Sequence, residues 1–227
     1  MNLKITFFSY AMFLILSLQA AYYSQHGQDK YVNEQIFKSK KNGVFVDIGA
    51  FDGIDISNTY FFEKELNWTG ICIEPIEEVF NLLAKNRNCV CVKGCVFEVT
   101  GEKDFLKVKG YPEMLSGLLE TYDERHLRRI DVEINEKGGS REVVKVKTYN
   151  FNDLCKQNNI THIDYLSIDT EGSEESIIRS INFDEIFIDV ISVENNFNSD
   201  FFYNFLTQKN YKLLCKFDID EVYKKID

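Results

Sequence analysis

The stretch Val44-Phe45-Val46-Asp47-Ile48-Gly49-Ala50-Phe51-Asp52-Gly53 decides how this chain is read. An apolar strand, broken only by Asp47, runs directly into a turn of glycines and acids of the kind that opens a helix. In an open α/β sheet such a turn, at the carboxyl end of a strand, is where nucleotide cofactors bind. The glycines are spaced Gly-x-x-x-Gly, and no segment completes the Gly-x-Gly-x-x-Gly pattern that crowds backbone N–H groups around a dinucleotide pyrophosphate. The spacing therefore favours a cofactor without phosphates. S-adenosylmethionine meets that description: it offers an α-amino group and a sulfonium for Asp47 to face, and a ribose diol for an acid on the next strand. That strand, Gly70 to Ile73, ends at Glu74-Pro75. Glu74 follows Gly53 by 21 residues, close to the separation at which a doubly wound fold places its ribose-binding acid.

Working outward, strand-like and helical patterns alternate. A helix carrying Tyr31, Val32, Ile36 and Phe37 on one face precedes the first strand; after Val44 to Ile48 come helix Ser57 to Leu66, strand Gly70 to Ile73, helix Ile76 to Asn86 and strand Cys89 to Val92. Residues 97–148 break this rhythm, with a hairpin expected around Thr100-Gly101, a loop through Tyr111-Pro112 and an alternating strand Val143 to Tyr149. Alternation then resumes through helix Phe151 to Asn158, strand Ile163 to Ile168, helix Glu174 to Ile181, strand Phe187 to Val193, helix Asp200 to Lys209 and a last strand Tyr211 to Phe217. The expected fold is a doubly wound, Rossmann-like α/β sheet with an insertion at 97–148 as its specificity element.

The 227 residues, 44% of them apolar, suffice for one well-packed core and are few for two. A net charge of −10 repels phosphate backbones, which argues against a nucleic-acid partner. Residues 1–21 stand apart: Lys4 precedes an apolar run from Ile5 to Leu18, and Ala20 and Ala21 close it. At 14 residues this run is shorter than the ~20 that span a bilayer, so the expectation is a secretory signal peptide, or else an uncleaved signal-anchor holding a lumenal domain, residues 22–227, at the membrane. The six cysteines lack paired Cys-x-x-Cys spacing, which leaves buried thiols or disulfides rather than zinc.

Ligands of such sheets bind just past the strand ends, and here those positions carry acids: Asp47 and Asp52, Glu74, Asp169 and Glu171, and Glu194 beside Asn195. Carboxylates placed only for solubility would scatter over helix faces instead. The candidate cofactor residues are Asp47, Gly49, Ala50, Asp52, Gly53, Glu74, Pro75, Asp169 and Cys95, the last at the end of the third strand. The candidate catalytic residues are Asp169, Glu171 and His26, although a histidine in a polar loop also serves as a plain hydrogen-bonding residue.

The ordered set Tyr23-Ser24-Gln25-His26-Gly27-Gln28-Asp29, Asp47 to Gly53, Ser57-Asn58-Thr59, Glu74-Pro75, Leu115-Ser116-Gly117 and Tyr165 to Gly172 resembles the FkbM-type S-adenosylmethionine-dependent methyltransferases, over roughly residues 22–225. The resemblance implies a class I methyltransferase fold with a seventh, antiparallel strand, and methyl transfer to oxygen on a small molecule or glycan. It assigns Asp47, Gly49 and Glu74 to the cofactor and Asp169 to the neighbourhood of the methyl group. Metal-free chemistry is the expectation; the alternative is a divalent ion on Asp169, Glu194 and Asn195, which resemble the magnesium triad of catechol-type O-methyltransferases except that Glu194 stands where that pattern has Asp. Two rival functions remain at this stage: an inactive methyltransferase fold serving as a binding or trafficking factor in the secretory pathway, and a nicotinamide oxidoreductase, which the missing pyrophosphate glycines disfavour.

Overall fold

The structure is a computed structural model that describes residues 21–226, so the expected targeting segment, apart from Ala21, lies outside the described residues. Among the described residues no helix is long and apolar enough to cross a membrane.

In chain order, α1 (Gln28–Tyr31) widens into a π-helical turn (Val32–Phe37), followed by β1 (Val44–Ile48), α2 (Tyr60–Leu66), β2 (Thr69–Glu74), α3 (Glu77–Asn86) and β3 (Val90–Lys93). The second part holds β4 (Cys95–Phe97), β5 (Gly101–Gly110), β6 (Gly117–Leu118), α4 (Glu124–Lys137) and β7 (Gly139–Asn150). The third holds α5 (Phe151–Gln157), β8 (His162–Ile168), α6 (Glu174–Ser180), β9 (Phe187–Glu194), α7 (Phe201–Gln208), β10 (Tyr211–Phe217) and β11 (Asp220–Lys225).

Seven strands form the main sheet in the order β10-β11-β9-β8-β1-β2-β3. Its β3-β2-β1-β8-β9 portion is parallel, and β11 runs antiparallel to both β9 and β10. The near-continuous apolar runs explain the parallel part, because helices cover both faces. Alternate residues divide between two cores: Val46, Ile48, Ile71, Ile73, Leu166 and Ile168 enter one, and Phe45, Cys72 and Tyr165 the other. Strand order reverses at β1, with β2 on one side and β8 on the other, so a crevice opens at their carboxyl ends.

The structure corrects the sequence reading at three places. The last strand is β11 rather than Tyr211 to Phe217; its Asp-Glu-Val-Tyr-Lys-Lys composition hides it, and Glu221 is buried because Tyr223, Asn195 and Lys216 all donate to it. The expected hairpin at Thr100-Gly101 is not one: β4 pairs parallel to β7, and β5 pairs antiparallel with the same β7, in a separate sheet of order β4-β7-β5-β6. The charged segment ahead of Val143, to which the sequence reading gave no element, contains helix α4, capped by the Asp123 carboxylate and laced by Glu124–Arg128 and Arg129–Glu133 pairs. All six cysteines are free thiols.

Candidate active site

A cavity of about 330 Å³ lies at the reversal point, walled by the ends of β1, β2, β8 and β9, the loop before α1, and residues of the 97–148 segment. Gly49 sets its floor. At φ +85° it holds a left-handed conformation, and a Cβ there would lie 1.7 Å from the Asp169 carbonyl oxygen, so only glycine lets the β1 loop press against the end of β8. The N–H groups of Gly49 and Ala50 both donate to Ile73 O, which draws the loop toward β2.

Asp47 is 4% exposed and accepts a 2.6 Å hydrogen bond from the Thr59 hydroxyl. Thr59 in turn accepts from Arg87, whose guanidinium also reaches Glu63 at 2.8 Å and the Gly53 carbonyl. Burial pushes the Asp47 carboxyl above its ordinary range, opposed by Arg87 and by the hydroxyls of Thr59 and Ser167. Asp52 and Gly53 are turned away from the cavity: the Asp52 carboxylate accepts from the backbone of Ile54 and Asp55, and Gly53 backs onto Arg87 and Leu83. They shape the loop rather than line the crevice.

Glu74 is buried at the end of β2, where Ile76 N–H donates to it at 2.8 Å and no side chain among the described residues does. Burial pushes its carboxyl up to about 8, opposed by the N–H groups of Ile76 and Phe51. Pro75 and Cys95 line the wall beside it, and burial together with the Glu74 charge raises the Cys95 thiol.

On the far side, carboxylate oxygens of Asp169, Glu171 and Glu194 lie within 4.8 Å of one another. Burial, then the charges of Asp220 and Glu174, pushes the Asp169 carboxyl up to about 7, with Glu194 in hydrogen-bonding reach. Burial and mutual repulsion also raise Glu171 and Glu194. Glu171 sits at φ +59°, uncommon for a non-glycine residue, in a turn clasped by Glu174, which accepts from Thr170 N–H, the Thr170 hydroxyl and Gly172 N–H. Asn195 is not with them; its amide donates to Ser199 O and Glu221. Its neighbour Asn196 donates to Glu194 at 2.6 Å and Glu171 at 3.3 Å instead. His26 lines the cavity from the loop before α1.

Asp47, Gly49, Ala50, Glu74, Pro75, Cys95, Asp169, Glu171, Glu194 and His26 thus share one crevice. Sequence reasoning did not find Asp218 and Asp220 in the β10–β11 turn, nor Arg129, which lines the cavity from α4. Nor did it find His126, 3.6 Å from Glu171 on the same helix; its only trace was the His126, Ile130, Ile134 spacing.

The family description "Methyltransferase FkbM domain" matches residues 47–223. The chain belongs to the FkbM methyltransferase family. The match runs from Asp47 to Tyr223 and so takes in the carboxyl ends of all the cavity strands; the α/β sheet of the FkbM domain, with one antiparallel strand, is a class I methyltransferase fold. No curated protein matches the chain. Among solved structures it is similar to an FkbM methyltransferase from Methylobacillus flagellatus KT, with 13% identity and a TM-score of 0.47 over 81% of this chain and 43% of that one. The chain therefore spans less than half the length of that relative. It is also similar to the N-terminal domain of human METTL16, with 12% identity and a TM-score of 0.44 over 89% and 68% of the two chains. A methyltransferase from Pyrococcus furiosus gives 14% identity and a TM-score of 0.39 over 93% and 91%.

Proposed function

We propose that the cavity binds S-adenosylmethionine and that the methyl group passes to a hydroxyl oxygen of a small molecule or glycan. The observation that carries this reading is Glu74: a buried carboxylate without a side-chain partner, opening into the same crevice as the Gly49 loop. Burying such a group costs free energy unless donors meet it, and two ribose hydroxyls are donors of the right kind. The chain fits the cofactor elsewhere too. Ile76, Val79, Val96 and Phe105 offer an apolar wall for a purine, and the acids around Asp47 and Asp169 suit a cation.

When bound, the cofactor supplies a methyl group on a positively charged sulfur that leaves as a neutral thioether. What the protein must add is alignment of the acceptor and a group to take its proton. Asp169, just past β8 and beside Gly49, is the residue we assign to accept that proton, with Glu171 next to it and His26 lining the same cavity. Asp55, Glu113, Asp218 and Asp220 also line the cavity, against Arg129 as the only arginine or lysine there among the described residues, which disfavours an anionic acceptor and supports a neutral hydroxyl.

Calorimetric titration with S-adenosylhomocysteine and, separately, with NADH tests the reading. Binding of the first alone is expected; silence with both, or binding of NADH, refutes it.

A further inference from the structure

We infer that Cys72 and Cys89 are a redox-active pair that closes to a disulfide joining β2 to the start of β3. Their sulfurs lie 3.5 Å apart, the thiol of Cys89 donating to Cys72. Cys72 stands on β2, fully buried, and Cys89 is half-buried just ahead of β3. A disulfide needs about 2.05 Å, so the two sulfurs must close by about 1.5 Å. Cys89 can supply that movement, because it precedes Val90, the first residue of β3 that pairs with β2. Cys91 is the register partner of Cys72, yet its thiol is directed at the Cys89 carbonyl oxygen, 3.7 Å away, which leaves Cys89 to close the bond.

The surroundings supply what thiol–disulfide exchange requires. Cys89 is the more exposed of the two and so the one a small disulfide reaches, and the buried charge of Arg87, two residues away, favours a thiolate there. Contact with Cys72 and burial raise the Cys89 thiol, while Cys91 and Arg87 oppose them, so the thiolate is a minor species and the exchange is slow. Having lost its proton to solvent, Cys89 attacks one sulfur of a low-molecular-weight disulfide and releases one thiolate. Cys72, likewise deprotonated, attacks the Cys89 sulfur of the mixed disulfide and expels the second. Two electrons pass to the small disulfide, which leaves as two thiols carrying the two protons. The bond closes a ring that contains Glu74, α3 and Arg87, the last of which donates to Thr59 and through it holds Asp47. The inference stands on this geometry and not on methyl transfer.

The test is incubation of the folded, full-length chain, reduced and then freed of reductant, with excess oxidised glutathione at about pH 8, followed by alkylation and mass spectrometry. Four of the six thiols should take the alkylating agent, the oxidised chain should weigh two hydrogens less, and a peptide map should join Cys72 to Cys89. Dithiothreitol should restore all six. Cys89→Ser should form no internal disulfide under the same treatment, while Cys215→Ser, on β10, still closes the Cys72–Cys89 link. Six thiols still open to alkylation, a glutathione left on Cys89, a link to another cysteine, or closure only after urea has unfolded the chain overturns the inference. The wild-type map gives that answer whether or not either variant folds. No cofactor enters the experiment, so its outcome and that of the S-adenosylhomocysteine titration are judged separately.

Discussion

Glu74→Gln should make the protein more stable and a poorer binder. In the folded chain burial lifts the Glu74 carboxyl from an ordinary 4.5 to about 8. The native state therefore holds a proton that the unfolded chain has lost throughout that interval, and linkage makes stability fall as pH rises from 4.5 to about 8, with no further change outside it. At pH 7, the interval above 4.5 amounts, at about 1.36 kcal/mol per pH unit, to at most about 3 kcal/mol of destabilisation that a neutral glutamine does not suffer. Glutamine keeps an oxygen for one of the backbone N–H donors, Ile76 or Phe51, and forfeits the other, which subtracts about 1 kcal/mol. A net gain of about 2 kcal/mol at neutral pH remains.

The assay is urea denaturation of both proteins at several pH values between about 4 and 9. The variant should lie about 1 kcal/mol below at the acid end, cross the wild-type curve as pH rises, and lie above it toward the alkaline end. Binding should move the other way: replacing charge-assisted acceptance of ribose hydroxyls by a neutral amide removes about 1–3 kcal/mol, which calorimetry reads as roughly tenfold to a hundredfold weaker S-adenosylhomocysteine affinity. Parallel pH profiles for the two proteins would refute the electrostatic argument, and unchanged affinity would remove Glu74 from the cofactor site.

Three further outcomes are expected. Arg87→Met, which strips the buried partner from Glu63 and the charge beside Asp47, should destabilise by about 3–5 kcal/mol in urea, far more than loss of an exposed pair such as Arg125–Asp123. Gly49→Ala must push the β1 loop off the Asp169 carbonyl, and should abolish S-adenosylhomocysteine binding in calorimetry while circular dichroism still reports a folded sheet. Ile130→Ala, at a fully buried position where α4 packs on Leu106, Val108 and Leu115, should cost about 2–5 kcal/mol and raise KM for the acceptor more than it weakens cofactor binding, because α4 carries His126 and Arg129.

The main sheet was legible because its central strands are buried on both faces and read as unbroken apolar runs; β1 and β10 fall at the expected residues, and β8 and β9 start or end within one. α4 and β11 were not, since each spends its length on charged residues whose burial depends on partners far away in sequence. Glu221 needs Asn195, 26 residues upstream, and the stripe of α4 needs β5, 20 or more residues upstream. At the site, the strand-end rule located Asp47, Glu74, Asp169, Glu171 and Glu194 in one crevice. It could not resolve a single-residue choice: past the end of β9, Asn195 N–H pairs with Ile219 O and its side chain turns into the α7 approach, so the amide that meets the acids is that of Asn196.

What distinguishes the acids at this rim is not their depth but their donors. Glu174 is as buried as Glu74, yet it clasps three donors from Thr170 and Gly172; Asp29, fully buried, accepts from Tyr23, the N–H and hydroxyl of Ser24, and Lys30. Those carboxylates are parts of the wall. Glu74, Asp169, Glu171 and Glu194 are short of such donors, and all four are driven toward their neutral forms. A fold retains buried carboxylates in that condition at a cost to its own stability, and the cost is offset only when something carrying donors or positive charge enters. The same four residues should therefore account for most of the rise in melting temperature on ligand binding: replacing Glu174 should lower the melting temperature of the free and liganded protein alike, whereas replacing Glu74 should narrow the gap between them.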